Sequence, residues 1–270
     1  MPPFRSLIFL LALLCVPAFA RAADPAPAAD LVVAQDGDLP LILTAPHGGT
    51  LPIPGATLRV GKGVSKFVAV TDVRTDELAL QIAAGIKQRL GRSPFVVVAK
   101  FSRKYADPNR PAADAYESPA AKAMYDTYHD DVRAACAKII KKWHRGFLID
   151  VHGQANQVAT IFRGTNDKAT VAHLIKVDGP DALTGAKSLL GQLASRGYML
   201  FPTNDSKGKE SAHFDGGYTV HTYGSADGGT FDAVQLEYGT SLRAAGVLPK
   251  TADDTAASIC VFLKAYLLKG

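Results

Sequence analysis

Short apolar and β-branched runs alternate along this chain with longer stretches of helical periodicity. Leu41 to Ala45 (LILTA), Phe95 to Ala99 (FVVVA) and Gly146 to Val151 (GFLIDV) have the length and composition of buried strands, and Phe231 to Leu236 (FDAVQL) closes the series. Val158 to Phe162 alternates less cleanly and predicts an edge strand; Tyr198 to Phe201 predicts another strand. Between them, Leu78 to Leu90 reads as an amphipathic helix stopped by Gly91, and Pro119 to Trp143 as a long helix. Ala182 to Arg196 is helical up to Gly197, and Thr251 to Leu268 forms the closing helix. Such alternation predicts an α/β fold with a largely parallel or mixed sheet covered by helices on both faces. No internal repeat and no strong linker interrupts residues 31–270, which predicts one domain there.

In sheets of this kind chemistry gathers beyond the carboxyl ends of the strands. Four expected strand ends are followed by Pro46-His47-Gly48-Gly49, Ser102-Arg103, His152-Gly153-Gln154 and Glu237-Tyr238-Gly239. Strand alternation points Asp150 and His152 the same way, so Asp150 is placed to orient the His152 ring. A histidine after a strand is most often structural; two, each beside glycine at separate strand ends, point to a metal. An open zinc site then needs a carboxylate. Asp72, just before the helix, is the first candidate and Glu77 the second. Helix capping, with Thr75 as N-cap and Asp76 and Glu77 favoured by the helix dipole, accounts for Glu77 better than for Asp72.

Arg103 and Arg110 bracket a turn-rich loop, with Asn109 beside the second arginine. Guanidinium groups grip carboxylates through paired planar hydrogen bonds, and the competing reading is a solvated basic loop. Glu237, among apolar neighbours, is expected to have a raised pKa suited to general-base work beside a metal. The segment His213 to Tyr218 (HFDGGY) reads either as a flexible rim offering Tyr218 to substrate or as a Gly-rich hairpin turn.

The ends change the picture of where the chain works. Arg5, the apolar run Leu7 to Val16 and Ala20-Arg21-Ala22 predict a secretory signal peptide over residues 1–22, followed by a Pro/Ala-rich lead-in over residues 23–30. No other apolar run is long enough to cross a membrane, so the expected location is periplasmic or secreted. Cys136 and Cys260 remain after the signal, either paired in an oxidising compartment or as two buried thiols. The net charge of +5 comes from dispersed basic residues without stacked aromatics. That composition argues against nucleic acid and suits a small anionic substrate.

Six segments in order resemble the N-formylglutamate amidohydrolase family: APHGG from Ala45, TDVRTDEL from Thr71, SRKYADPNRP from Ser102, IDVHG from Ile149, FDGGY from Phe214 and QLEYG from Gln235. The resemblance implies a hydrolase-like three-layer α/β/α sandwich with a mixed central sheet, akin to the zinc carboxypeptidases. It implies one Zn2+ held by His47, His152 and a carboxylate placed at Asp72. Glu237 matches the general base, Arg103 the residue that polarises the scissile carbonyl, and Asn109 with Arg110 the carboxylate grip. Zinc carboxypeptidases hold their first His and Glu in H-x-x-E, whereas about 25 residues separate His47 from Asp72 here. The expected function is zinc-dependent hydrolysis of amide bonds in small carboxylate-bearing substrates. The competing expectation is an exported binding protein for anionic ligands that has lost catalysis.

Overall fold

The computed structural model describes residues 31–205 and 208–268. The expected signal peptide and lead-in therefore lie outside the described residues. Seven strands form one sheet: β1 (Val32–Gln35), β2 (Leu41–Ala45), β3 (Phe95–Ala99), β4 (Gly146–Gln154), β5 (Thr160–Gly164), β6 (Met199–Phe201) and β7 (Phe231–Gly239). Their spatial order is β1-β3-β2-β4-β7-β5-β6. Strands β3, β2, β4 and β7 are mutually parallel, while β1 and β5 run against their neighbours β3 and β7. The sheet is mixed, as the alternation predicted.

The period of two decides what each face carries. Leu41, Leu43, Val96, Val98, Phe147 and Ile149 point to one core, shared with α1 (Thr75–Leu90) and α8 (Leu248–Phe262). The intervening Ile42, Phe95, Val97 and Leu148 point to the other, against α3 (Pro119–Trp143). Three short helices, α4 (Ala172–Asp178), α5 (Asp181–Thr184) and α6 (Leu189–Ser195), complete the first layer. On the opposite side α2 (Ala112–Ala115) and α7 (Tyr218–Tyr223) accompany α3. Among the described residues, no helix is long and apolar enough to cross a membrane.

Several expectations are corrected. The helix expected over Ala182 to Arg196 is two helices. Gly185 ends α5, and Ser188 starts α6 by accepting from the Gly191 N–H on its side chain. Strand β5 is not an edge: β7 and β6 flank it, and β6 takes the edge. Thr75 is not the N-cap. Arg74 occupies that place in a left-handed conformation, and the Thr75 hydroxyl donates to the Asp72 carbonyl. Of the two readings left open for the cysteines, the structure has the second: Cys136, partly buried, and Cys260, buried, are free thiols. They belong to α3 and α8, on opposite faces of the sheet, which keeps them apart.

Candidate metal centre and cavity

Strands β4 and β7 pair in register over nine residues, beyond the expected ends at Val151 and Leu236. His152 and Glu237 are thus strand residues, directly opposite each other, with Asp150 opposite Gln235. All four continue the α3-facing parity of Leu148 and Ala233, so that face turns from apolar to polar at its carboxyl end. His47 arrives from the turn after β2, and its backbone carbonyl accepts from the Asp72 N–H. That bond and the Thr75 hydroxyl hold the Asp72 loop in place from both sides.

Three ligand atoms converge. His47 Nδ1 lies 3.2 Å from His152 Nδ1, and Asp72 Oδ2 lies 3.4 Å from the first and 3.2 Å from the second. Ligand atoms held roughly 2.0–2.2 Å from one tetrahedral ion stand roughly 3.3–3.6 Å apart, so the triangle has the dimensions of a metal site. The outer ring nitrogens settle the tautomers. His47 Nε2 donates to Asp107 Oδ1 at 2.6 Å and His152 Nε2 to Asp150 Oδ2 at 2.9 Å. Both Nδ1 atoms then present lone pairs to each other and to a carboxylate oxygen. A single proton can bridge one pair of these atoms; a divalent cation satisfies all three. Glu77 sits elsewhere, half-exposed and paired with Arg74 at 3.0 Å, so Asp72 is the carboxylate in this cluster.

Two residues without a sequence signal organise the surroundings. Asp107 is fully buried and accepts from His47, from Arg103 at 2.6 Å and from the Asn109 N–H at 3.0 Å. Burial opposes its charge, but His47 and Arg103 beside it hold its pKa well below the carboxylate range. Arg243, also buried, donates to the carbonyls of Tyr238, Val73 and Gln154. Tyr238 and Val73 directly follow Glu237 and Asp72, and Gln154 lies two residues after His152, so one guanidinium ties together all three segments. Gly153 leaves the room: a Cβ there would stand 2.4 Å from the Arg243 guanidinium carbon.

Glu237 is buried, with Oε1 accepting from Gln235 at 2.9 Å and Oε2 lacking a partner. Burial pushes its pKa up to about 7. Its Oε1 stands 3.9 Å from His152 Nδ1. Arg103 keeps a buried Nε without a partner. Asn109 donates to Gln235 at 3.3 Å and accepts from the Thr219 N–H at 2.9 Å. Gly217 packs on that amide, 2.1 Å from where a Cβ would stand. Arg110 is half-buried and donates to the carbonyl of Asn109 at 2.8 Å.

A cavity of about 470 Å3 opens over this cluster, with His47, Asp72, His152, Glu237, Arg103 and Arg110 in its lining. Asn109 reaches it as well, as do His213 and Phe214 of the HFDGGY segment. Tyr218 does not. It begins α7 and sets its ring edge-on to His129, with centroids 5.6 Å apart, in an aromatic cluster with Tyr125 and Tyr223. The expectation that Tyr218 faces substrate is corrected, because the helix turns its side chain into the α3 layer.

No protein-family profile and no curated protein matches the chain. Solved structures do. An N-formylglutamate amidohydrolase from Ralstonia eutropha JMP134 superposes with a TM-score of 0.59 at 14% identity, covering 87% of this chain and 98% of that one. A gene product of Agrobacterium tumefaciens superposes with a TM-score of 0.54 at 17% identity, covering 87% and 94%. The chain shares their α/β fold.

Proposed function

We propose that this chain is a zinc-dependent hydrolase of amide bonds in small carboxylate-bearing substrates, an N-acyl amino acid or a short acidic or wall peptide, working outside the cytoplasm. The observation that carries the reading is the His47–Asp72–His152 triangle beside a buried carboxylate with a free oxygen. The fold shared with an N-formylglutamate amidohydrolase is consistent with it. When bound, the ion supplies Lewis acidity at the scissile carbonyl.

The chain's own groups do the rest. Arg103, with its unpartnered Nε, donates to the carbonyl oxygen as negative charge develops there. Glu237 takes a proton from the attacking water and returns it to the leaving nitrogen, a task its raised pKa suits. Arg110, beside Asn109, receives the substrate carboxylate. A binder that had lost catalysis would have no use for a buried carboxylate with one oxygen left unpartnered, since that oxygen costs stability.

Elemental analysis of the purified protein tests the centre. About one zinc per chain is expected, lost in His47→Ala, His152→Ala and Asp72→Ala and kept in Glu77→Ala. Glu237→Gln is expected to keep the metal and the fold while kcat on N-acyl glutamates falls by roughly 10²–10⁴. Undiminished zinc in the two histidine variants, or normal turnover in Glu237→Gln, would sink the reading.

A further inference from the structure

The loop between β2 and α1 inverts the usual order of polar and apolar groups. Three of its backbone carbonyls turn toward the site. The carbonyl of Lys66 accepts from Arg110 at 3.5 Å, that of Val70 from Arg103 at 3.4 Å, and that of Val73 from Arg243. Arg59 anchors the same loop from within. It is buried, donates to the Arg103 carbonyl at 2.7 Å, and carries the Phe67 ring 4.9 Å from its guanidinium carbon. With the backbone fixed from the protein side, the valines are left outside. Val68 is 38% exposed, Val70 73% and Val73 60%, and all three line the cavity. Val68 and Val70 flank the less exposed Ala69. Phe214 adds an aromatic group to the same lining.

Apolar side chains exposed together beside a polar site mark a place where something apolar binds. Nothing in the reaction proposed above uses them: the metal ligands, base and carboxylate grip are all polar. The cavity of about 470 Å3 also falls among pockets that enclose drug-sized ligands, roughly 300–1,000 Å3. An amino acid with a one-carbon acyl group would fill only part of it.

We infer that the valine wall is a subsite for a hydrocarbon acyl chain, so that the substrate is an N-acyl amino acid or acyl-peptide with a carboxylate toward Arg110 and an apolar acyl group on Val68, Val70 and Val73. This rests on the amide-hydrolase reading above. Water adds across the C–N bond, its hydroxyl to the acyl carbon and its proton to the amine. The products are an aliphatic carboxylate and a free amino acid. A charged wall of Asp or Lys would repel the hydrocarbon.

The test is a homologous series, N-formyl-, N-acetyl-, N-butanoyl- and N-octanoyl-L-glutamate, with the zinc-loaded enzyme. Full burial of a methylene is worth about fourfold; on a partly open wall about twofold per methylene in kcat/KM is expected. In Val68→Ser/Val70→Ser the slope with chain length should flatten. Binding of the acetyl and octanoyl compounds to zinc-loaded Glu237→Gln, followed by titration calorimetry, reads the subsite without turnover. The octanoyl compound should bind at least tenfold more tightly, with a negative heat-capacity change. Hydrolysis with no dependence on chain length overturns the subsite and leaves the hydrolase reading intact. Tighter octanoyl binding with no hydrolysis in the wild type overturns the hydrolase reading and keeps the subsite. Equal affinity for the two compounds, or no binding of either, overturns the subsite.

Discussion

Asp107→Asn probes the least visible part of the site. The substitution preserves shape and exchanges one carboxylate oxygen for an amide nitrogen. In one orientation the nitrogen replaces Oδ2, which accepts from Arg103 at 2.6 Å and lies 3.7 Å from Arg59. Two buried guanidiniums then face a donor. In the other orientation it replaces Oδ1, and an N–H meets both the His47 Nε2–H and the Asn109 N–H. His47 can respond only by moving its proton to Nδ1, which removes the lone pair from the metal triangle. Either choice breaks a charge-assisted bond, worth roughly 1.5–3 kcal/mol, and leaves the buried Arg103 and Arg59 facing a neutral side chain instead of a carboxylate. Breaking a buried pair costs roughly 3–5 kcal/mol. For a domain of this size each kcal/mol moves Tm by roughly 2–4 °C, so a fall of about 10 °C is expected in the metal-free protein. Zinc affinity, measured by competition with a chromophoric chelator, should fall by roughly 10–100-fold. Metal-free Tm and zinc affinity both unchanged would refute the assignment of Asp107 as organiser of His47 and Arg103.

Arg243→Lys keeps the charge but removes the fork to three carbonyls, and Gly153→Ala pushes a Cβ into the guanidinium; both should weaken zinc binding at least tenfold, read by the same chelator competition, and wild-type affinity in both would remove Arg243 from the site's architecture. Arg110→Ala should raise KM on carboxylate-bearing substrates by a factor matching roughly 2–5 kcal/mol, with no such change on the corresponding amide; equal effects on both would dismiss the carboxylate grip. His129 gives a pH signature. Its Nδ1 accepts from the Tyr223 hydroxyl at 2.9 Å and its Nε2 donates to the Pro108 carbonyl at 3.0 Å, and burial lowers its pKa to about 4. The unfolded chain therefore binds this proton first, so stability is full above about pH 6.5 and declines as pH falls toward 4, by up to about 3 kcal/mol. Chemical denaturation of His129→Gln between pH 4 and 7 should show a shallower decline than the wild type, and an equal slope would count against it.

Much of the fold was legible because burial writes a period into sequence. LILTA, FVVVA and GFLIDV carry two-sided apolar strands, and Gly91 ends its helix in a left-handed conformation. Less was legible where local signals are weak. The four-residue β1 has only its first residue buried, and the break between α5 and α6 rests on Gly185 and Ser188 alone. His47, His152, Arg103 and Glu237 stood out because a parallel sheet presents its carboxyl ends together. Tyr218 was misplaced because the glycines before it read as a loose rim, whereas Gly217 packs on Asn109 and launches α7.

What the sequence by itself determined was therefore the layer order, the strands and the polar residues at their ends, all consequences of local periodicity and of where a strand stops being apolar. The tertiary structure alone decided which of those residues meet. The choice of Asp72 over Glu77 depends on a backbone bond to His47 and on a helix that starts at Thr75. Helix geometry then leaves Glu77 outside the cluster, paired with Arg74. Asp107 and Arg243 gain their importance only from contacts made across 60 residues to His47 and 170 residues to Val73. Pairwise convergence of that kind leaves no periodic trace in a single chain, because nothing in the immediate neighbourhood of either partner marks the other.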